Sequence, residues 1–139
     1  MSLFDSLRIS ASGLSAERLR MDVVASNLAN ANTTKGADGQ PYRRKEVVLQ
    51  SADGSGASSF QDVLQGVEIT GVVDDDSPLR RVYDPGHPDA DAQGFVTLPN
   101  VNTVSEMVDL ITATRGYEAN VQAMNAAKQM FSRALEILR

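Results

Sequence analysis

The chain has 139 residues and a formal net charge of −5, and 42% of its residues are hydrophobic, 22% charged and 5% aromatic. This composition excludes wholesale disorder, the absence of cysteine excludes disulfides and sulfur-ligated zinc, and the single histidine excludes multi-histidine metal sites. The acidic balance gives no electrostatic footprint for nucleic acid, and no apolar run is long enough to span a membrane as a helix.

Proline and glycine divide the chain into three parts. All five prolines and eight of the ten glycines lie in residues 35–102, whereas residues 1–34 and 103–139 contain no proline and one glycine each, Gly13 and Gly116. Because helix breakers are concentrated in the centre, we expect two long terminal helices around a middle of short strands and loops. The predicted fold is mainly α with a small β-rich insert, and its terminal helices form a coiled-coil hairpin.

The first helix is predicted by apolar residues spaced alternately by three and four. This spacing places them on one stripe that packs best against a partner helix, and we expect Ser2 to cap its start. The stripe consists of Phe4, Leu7, Ala11, Leu14, Met21, Ala25 and Leu28, interrupted by Arg18. Asn27, Asn30 and Asn32 are expected to end the helix, because asparagine competes for backbone hydrogen bonds. We expect them to cap it and bond across subunits, although a role as ordinary terminators stays open.

The middle region predicts four short strands, at residues 42–50, 67–73, 79–83 and 95–98. Residues 51–59 are expected to form a flexible surface loop, and residues 60–64 a single helical turn. Three adjacent bases at 43–45 are too few to indicate a phosphate track.

The second helix is predicted more strongly, since Thr103 followed by Glu106 matches a capping box. Its large stripe is Met107, Leu110, Tyr117, Val121, Met124, Phe131, Leu135 and Leu138, interrupted by Thr114 and Lys128. Beside it runs a flatter line of mostly small residues: Ala113, Gly116, Asn120, Ala123, Ala127, Met130, Ala134 and Ile137. Either this helix is contacted on two sides, by its own chain and by a neighbour, or the alanines reflect helix propensity alone.

Helix length indicates assembly. Helices of about 30 and 36 residues extend ~45 and ~54 Å, whereas a compact domain of this size has a radius of gyration of only ~14 Å. Two projecting helices leave much of each stripe in water, so we expect association to complete the core and the ends of the monomer to be poorly ordered. The first stripe should dock against the second, while Arg18 and Lys128 reach an acid or carbonyl of a neighbour.

Motifs for catalysis or ligand binding are weak. Gly54-x-Gly56 lacks the remaining residues of a phosphate loop, and His87 lies in a proline-bounded turn where a structural role is expected. Residues 89–94 resemble the opening of an EF-hand loop, but the twelfth position is Asn100 rather than glutamate. We therefore expect no catalytic residue, metal or cofactor. Two alternatives stay open: a cytoplasmic coiled-coil adaptor, and a calcium-dependent secreted binding or enzymatic module built on Asp84, His87, Asp89 and Asp91.

Two groups of residues resemble a known family. Residues 24–34 (VASNLANANTT) resemble the N-terminal signature of the bacterial flagellar rod, hook and hook-associated proteins. The proximal basal-body rod proteins of that family are similar to residues 41–45 (PYRRK), 83–91 (YDPGHPDAD), 94–96 (GFV), 99–102 (PNVN), 106–107 (EM) and 115–120 (RGYEAN). The likeness covers nearly the whole chain and is weakest at 35–40 and 51–59.

The resemblance implies a structural subunit and not an enzyme. Such subunits leave the cell through the flagellar type III export apparatus, and the first twenty residues do not predict a cleavable secretory signal. The family assembles into a hollow axial rod across the periplasm that transmits torque and passes exported subunits. The implied partners are copies of the chain, other rod proteins and the membrane-ring or export-gate base, with the terminal helices as inner layers.

Overall fold

The computed structural model describes residues 3–36, 38–52 and 66–137, and the side chains of residues 5–136 within those ranges. Two long helices flank four short strands, which confirms the predicted mainly α fold with a β insert. In chain order the elements are α1 (Leu3–Ala29), β1 (Lys45–Ser51), β2 (Val67–Asp74), β3 (Arg80–Tyr83), β4 (Phe95–Leu98) and α2 (Thr103–Ile137). The predicted turn at 60–64 and most of the predicted loop at 51–59 lie outside the described residues. Within the described ranges, neither helix combines the length and apolar character that crossing a bilayer requires.

The first helix ends at the predicted asparagines. Asn30 donates to the carbonyl oxygen of Ser26 from both its backbone N (3.0 Å) and its side-chain Nδ2 (2.9 Å), and its Oδ1 accepts from Thr33 Oγ1 at 3.2 Å. This side chain stabilises a turn instead of another helical residue, so the predicted end of α1 near Asn30 is confirmed. The predicted cap at Ser2 lies outside the described residues.

The start of α2 corrects the predicted capping box. Oδ1 of Asn102 accepts hydrogen bonds from the backbone N of Val104 (3.0 Å) and of Ser105 (3.3 Å), so Asn102 is the N-cap. Thr103 is therefore already the first helical residue. The side chain of Glu106 does not return to the helix end, because contacts with distant residues hold it in the interior.

The strands form two separate antiparallel pairs, β1 with β2 and β3 with β4. In the first pair Val48 lies opposite Gly71 but Leu49 lies opposite Ile69, so Thr70 is an extra residue in β2 and forms a bulge. Opposite residues share a face of the sheet, and both faces of this small sheet keep apolar side chains partly exposed.

The β3–β4 pair depends on one glycine. Gly94 has a φ of +82°, and a Cβ atom at this position would lie 2.9 Å from the ring of Tyr83. The close approach lets Tyr83 meet Phe95 edge to face, with ring centroids 5.3 Å apart, while the guanidinium of Arg81 lies 5.0 Å from the centroid of Phe95. These contacts join the side chains of β3 and β4.

The β1–β2 pair is attached to α1 at both ends. Near the middle of α1, Ser12 Oγ accepts from the backbone N of Val67 at 3.0 Å, and Gly66 approaches so closely that any Cβ would collide with Ser12. Near the end of α1, Asn27 bonds the backbone of Lys45. The two attachments lay the strands along the helix.

The two helices pack antiparallel. Asn27 near the end of α1 bonds Glu106 near the start of α2, and Gly13 lies against Asn120 farther along. Extending this register brings Leu3 beside residue 130, so the last turns of α2 project beyond the described start of α1. We call residues 131–137 the α2 overhang.

Small residues form the centre of the contact between the helices. Ala113 is completely buried, and Ala16 and Ala127 are nearly so. The part of the small-residue line at Ala113, Gly116, Asn120 and Ala127 therefore faces α1, whereas the large stripe of α2 lies at the edge of the contact. Its members Leu110, Tyr117, Val121 and Met124 are half-buried, as are Leu7, Leu14, Met21 and Leu28 of α1.

Candidate functional site

Three parts of the chain meet in a polar cluster, which we call the junction: Asn27, Tyr42, Arg44, Lys45 and Glu106. Asn27 and Glu106 form its buried centre. The end of α1 supplies the asparagine, the segment entering β1 supplies the next three residues, and the first turn of α2 supplies the glutamate. The junction therefore determines how the β insert sits on the helix pair.

The side chain of Asn27 is fully buried and uses its whole hydrogen-bonding capacity. Its Nδ2 donates to the carbonyl oxygen of Lys45 (2.9 Å) and to Oε2 of Glu106 (3.0 Å). Its Oδ1 accepts from the backbone N of Lys45 (2.9 Å) and from the hydroxyl of Tyr42 (2.9 Å). The side chain of Asn27 therefore has no donor or acceptor left for the expected hydrogen bond to another subunit.

Glu106 is a completely buried carboxylate between two donors. Oε1 accepts from Nε of Arg44 at 2.6 Å, and Oε2 accepts from Asn27. An amide in place of this carboxylate would present one acceptor and one donor to two donors, so the site demands an acid.

Arg44 balances the buried charge and connects it to the surface. Its guanidinium pairs with Glu46, lies 3.5 Å from Oδ2 of Asp75 and lies 3.8 Å from Oδ2 of Asp109. Burial by itself lowers the pKa of Arg44, but the hydrogen bonds to Glu106 and Glu46 outweigh it and raise the pKa above its ordinary value. The arginine stays charged, as a partner of a buried acid must.

The second strand pair is held to the same place by Asn100, just before α2. Its Oδ1 accepts from the backbone N of Arg44 (2.8 Å), and its Nδ2 donates to the carbonyl oxygens of Asp75 (3.1 Å) and Ser77 (3.3 Å). Hydrogen bonds from Ser77, followed by the charge of Arg44, lower the pKa of Asp75. Arg43 and Arg44 therefore use their side chains for contacts within the chain, and Lys45 is bonded through its backbone.

Other predicted residues lie apart from the junction. Asn30 caps α1 and Asn32 is exposed, as are Arg18 and Lys128. The side chains of Phe4 and Leu138 lie outside the described residues.

Two faces of α2 expose large apolar side chains. The first two turns present Val104, Met107, Val108 and Ile111, which are between 51% and 68% exposed and recur at helical spacing on one face. We call these four residues the outer patch. The α2 overhang exposes Phe131 and, at 53%, Leu135. Helical geometry places Phe131 and Leu135 on the face that α1 covers earlier in the helix, whereas the outer patch points away from α1.

Sequence reasoning missed both the junction and most of the outer patch. The signal for the outer patch was present, because the three apolar residues around Met107 follow the 3–4 spacing of a helix face. The junction had no local signal, since its partners lie as far apart as Asn27 and Glu106.

The four residues of the calcium alternative are already engaged in hydrogen bonds or ion pairs within the chain. Asp89 binds Lys35 Nζ (2.6 Å) and Thr34 Oγ1 (2.7 Å), and these two contacts lower its pKa. Asp91 accepts from the backbone N of residues 93 and 95 and pairs with Arg81, Asp84 accepts from the N of residue 86, and His87 Nδ1 accepts from the N of Asp89. Among the described residues no group of three or more acidic or histidine side chains could hold a metal ion.

Comparison with known proteins gives matches over almost the entire chain. Residues 7–37 match the family model described as "Flagella basal body rod protein", and residues 92–137 match "Flagellar basal body rod FlgEFG protein C-terminal". The chain is similar to the flagellar basal-body rod protein FlgC of Bacillus subtilis strain 168, at 51% identity over 99% of each chain. Proteins of the same name from Borreliella burgdorferi (43% identity, 100% of this chain and 99% of the relative) and Aquifex aeolicus (42% identity, 98% and 97%) are also similar. None of these matches supports the calcium module or the cytoplasmic adaptor.

Proposed function

The chain belongs to the FlgC family of flagellar basal-body rod proteins and is a structural subunit of the rod, and we propose that the exposed faces of α2 are the surfaces through which it assembles. The single observation that carries this proposal is the exposure of the outer patch and the overhang on one long helix. Rod membership means assembly with other rod proteins, and an apolar helix face in water is the usual form of such a contact.

We propose an assembly interface that combines both predicted stripes with the asparagines that follow α1. It comprises Phe4, Leu7, Leu14, Met21, Leu28, Asn27, Asn30, Asn32, Met107, Leu110, Tyr117, Val121, Met124, Phe131, Leu135 and Leu138. Neighbouring helices would cover the exposed and half-buried members, whereas Asn27 acts from inside by holding the β insert in place. In the assembled rod the paired helices wind as a coiled coil.

The rod so formed is a hollow shaft that transmits torque and passes exported subunits. Torque transmission requires resistance to twist, and interlocked helices supply it because packed interiors deform little. Few large side chains are buried among the described residues, so the free chain is easily unfolded for export. We propose that it passes the flagellar type III export apparatus without a cleaved signal peptide and assembles in the periplasm.

The proposed partners are copies of the chain, other rod proteins and the membrane-ring or export-gate base. The subunit has no enzymatic activity in this proposal. Its outward surface is the β insert, since the strands lie beside α1 and away from the small-residue contact of the helices.

Introducing a negative charge on each of the two apolar faces tests the proposal. Ile111→Asp and Leu135→Asp should each abolish swimming and remove the subunit from purified basal bodies in a strain that lacks its own copy. Thr112→Asp and Ser132→Asp are matched controls, because they place the same charge in the same turns at exposed polar positions. Normal swimming with either apolar-face variant, at normal protein level, would refute the assignment of that face.

A further inference from the structure

Each terminal helix contains one glycine in its described part, and each of these glycines lies against a polar side chain of the other helix. A Cβ atom added at Gly13 would lie 3.0 Å from Nδ2 of Asn120, and one added at Gly116 would lie 3.1 Å from Oε1 of Glu17. The two contacts are reciprocal: α1 provides a glycine and an acid, and α2 provides a glycine and an amide.

Both polar side chains lie in the contact between the helices, and a hydrogen bond holds one of them, Asn120. Nδ2 of Asn120 donates to the carbonyl oxygen of Gly116 at 3.0 Å, which joins the two contacts on α2. Glu17 lies in the helix contact, where its Oε2 is buried without a hydrogen-bond partner and Nη1 of Arg20 is 3.9 Å away. A methyl group at either glycine would require the facing side chain to shift by a few tenths of an ångström.

The contacts share one register with the junction. Glu17 lies ten residues before Asn27, and Gly116 lies ten residues after Glu106. A slip of one residue moves α2 by about 1.5 Å and rotates it by about 100°, which would place a large side chain beneath Glu17. A slip of one turn, about 5.4 Å, would also separate the junction residues.

We propose that the pairs Gly13–Asn120 and Gly116–Glu17 are positioning contacts that fix the axial register of α1 against α2. Small residues elsewhere in the helix contact permit close approach at several registers, because an alanine presents nearly the same surface wherever it lies. A glycine beneath a longer polar side chain fits at one register. The register in turn determines how far the α2 overhang projects, and only this last consequence rests on the proposed function.

The sign of a stability change tests the proposal on the isolated chain. Alanine is a better helix former than glycine, so propensity alone predicts that Gly13→Ala raises the urea midpoint of unfolding. The positioning contact predicts a lower midpoint, because the new methyl group crowds Asn120. Shortening the partner should reverse the effect: Gly13→Ala with Asn120→Ala should unfold at a higher urea concentration than Gly13→Ala alone. Gly116→Ala with Glu17→Ala gives the same comparison at the second contact.

A distance measurement separates register from simple crowding. The chain has no cysteine, so spin labels at Ser15→Cys and Glu118→Cys, which are exposed positions at matching heights on the two helices, report one pair distance. In the parent chain we expect a single narrow distribution. Gly13→Ala with Gly116→Ala should shift or broaden it by up to about one turn, ~5.4 Å, and Asn120→Ala with Glu17→Ala should restore it.

Two results would overturn the proposal: a raised midpoint in the glycine variants, or an unchanged distance distribution. These measurements need no assembled rod. Their failure would leave the assembly tests at Ile111 and Leu135 untouched, and failure of those tests would leave the register result standing.

Discussion

Replacing Glu106 by glutamine tests whether the junction is held by its hydrogen-bond pattern. The substitution keeps the shape of the side chain but supplies one acceptor where Asn27 and Arg44 both donate. One buried donor then faces another donor, and the charge of Arg44 loses its innermost partner.

The expected cost follows from these contacts. An unsatisfied buried donor costs about 1–3 kcal/mol, and breaking a buried ion pair costs about 3–5 kcal/mol. Arg44 keeps Glu46, Asp75 and Asp109 on its exposed side, which lowers the second figure. We therefore expect Glu106→Gln to destabilise the chain by about 2–4 kcal/mol, a large part of the total stability of a small protein, about 5–15 kcal/mol.

Urea unfolding followed by helical circular dichroism measures this change. For a urea dependence of about 2 kcal/mol per molar, the midpoint should fall by about 1–2 M. Glu106→Ala should cost at least as much, because alanine removes both acceptors and leaves a cavity. Glu118→Gln, on the exposed face of the same helix, is the matched control and should change stability by less than about 0.5 kcal/mol. A glutamine variant as stable as the parent, or a harmful alanine beside a harmless glutamine, would show that the acid is not required.

Three further outcomes are expected. Gly94→Ala should lower the melting temperature more than Gly39→Ala in a thermal scan, because both glycines have positive φ but only Gly94 lies against a ring; equal losses would contradict the packing argument. The pKa of Asp89 is lowered in the fold, chiefly by Lys35. The stability that the ionised Asp89 contributes is therefore complete above the ordinary aspartate pKa of about 3.9 and is lost as the pH falls below it. Urea midpoints at pH 7 and pH 3 should therefore differ less in Lys35→Met than in the parent, and an equal difference would refute the assignment. In dilute solution trypsin should cleave after Arg133 well before it cleaves after Arg44, as mass spectrometry of the fragments would show; resistant helix ends would contradict ordering on assembly.

Periodicity and breakers predicted the helices and strands well because local preferences and the wider fold agree there. Residues 67–73 and 95–98 alternate or cluster β-branched side chains between turns, and they became β2 and β4 with nearly the predicted bounds. β1 begins at Lys45 and not at residue 42, because Tyr42 and Arg44 are drawn into the junction.

The predicted capping box was wrong because the junction also engages Glu106. A local rule pairs Thr103 with Glu106, but a partly buried arginine and a buried asparagine from distant parts of the chain compete for that carboxylate. Their contacts are stronger in the interior than a cap in water, so Asn102 takes over the helix end. The assembly-interface residues stay predictions, since only contacts between subunits can test them.

Burial on assembly is the central claim, and cysteine accessibility measures it most directly. Single cysteines at Ile111 and Leu135, in a chain that has none of its own, can be labelled with a maleimide in the purified monomer and in isolated basal bodies. A cysteine at Gln50, on the exposed strand β1, is the control, because this position lies outside both faces. The account predicts fast labelling of Ile111→Cys and Leu135→Cys in the monomer and strong protection in the basal body. Equal labelling of these cysteines in both forms would contradict it.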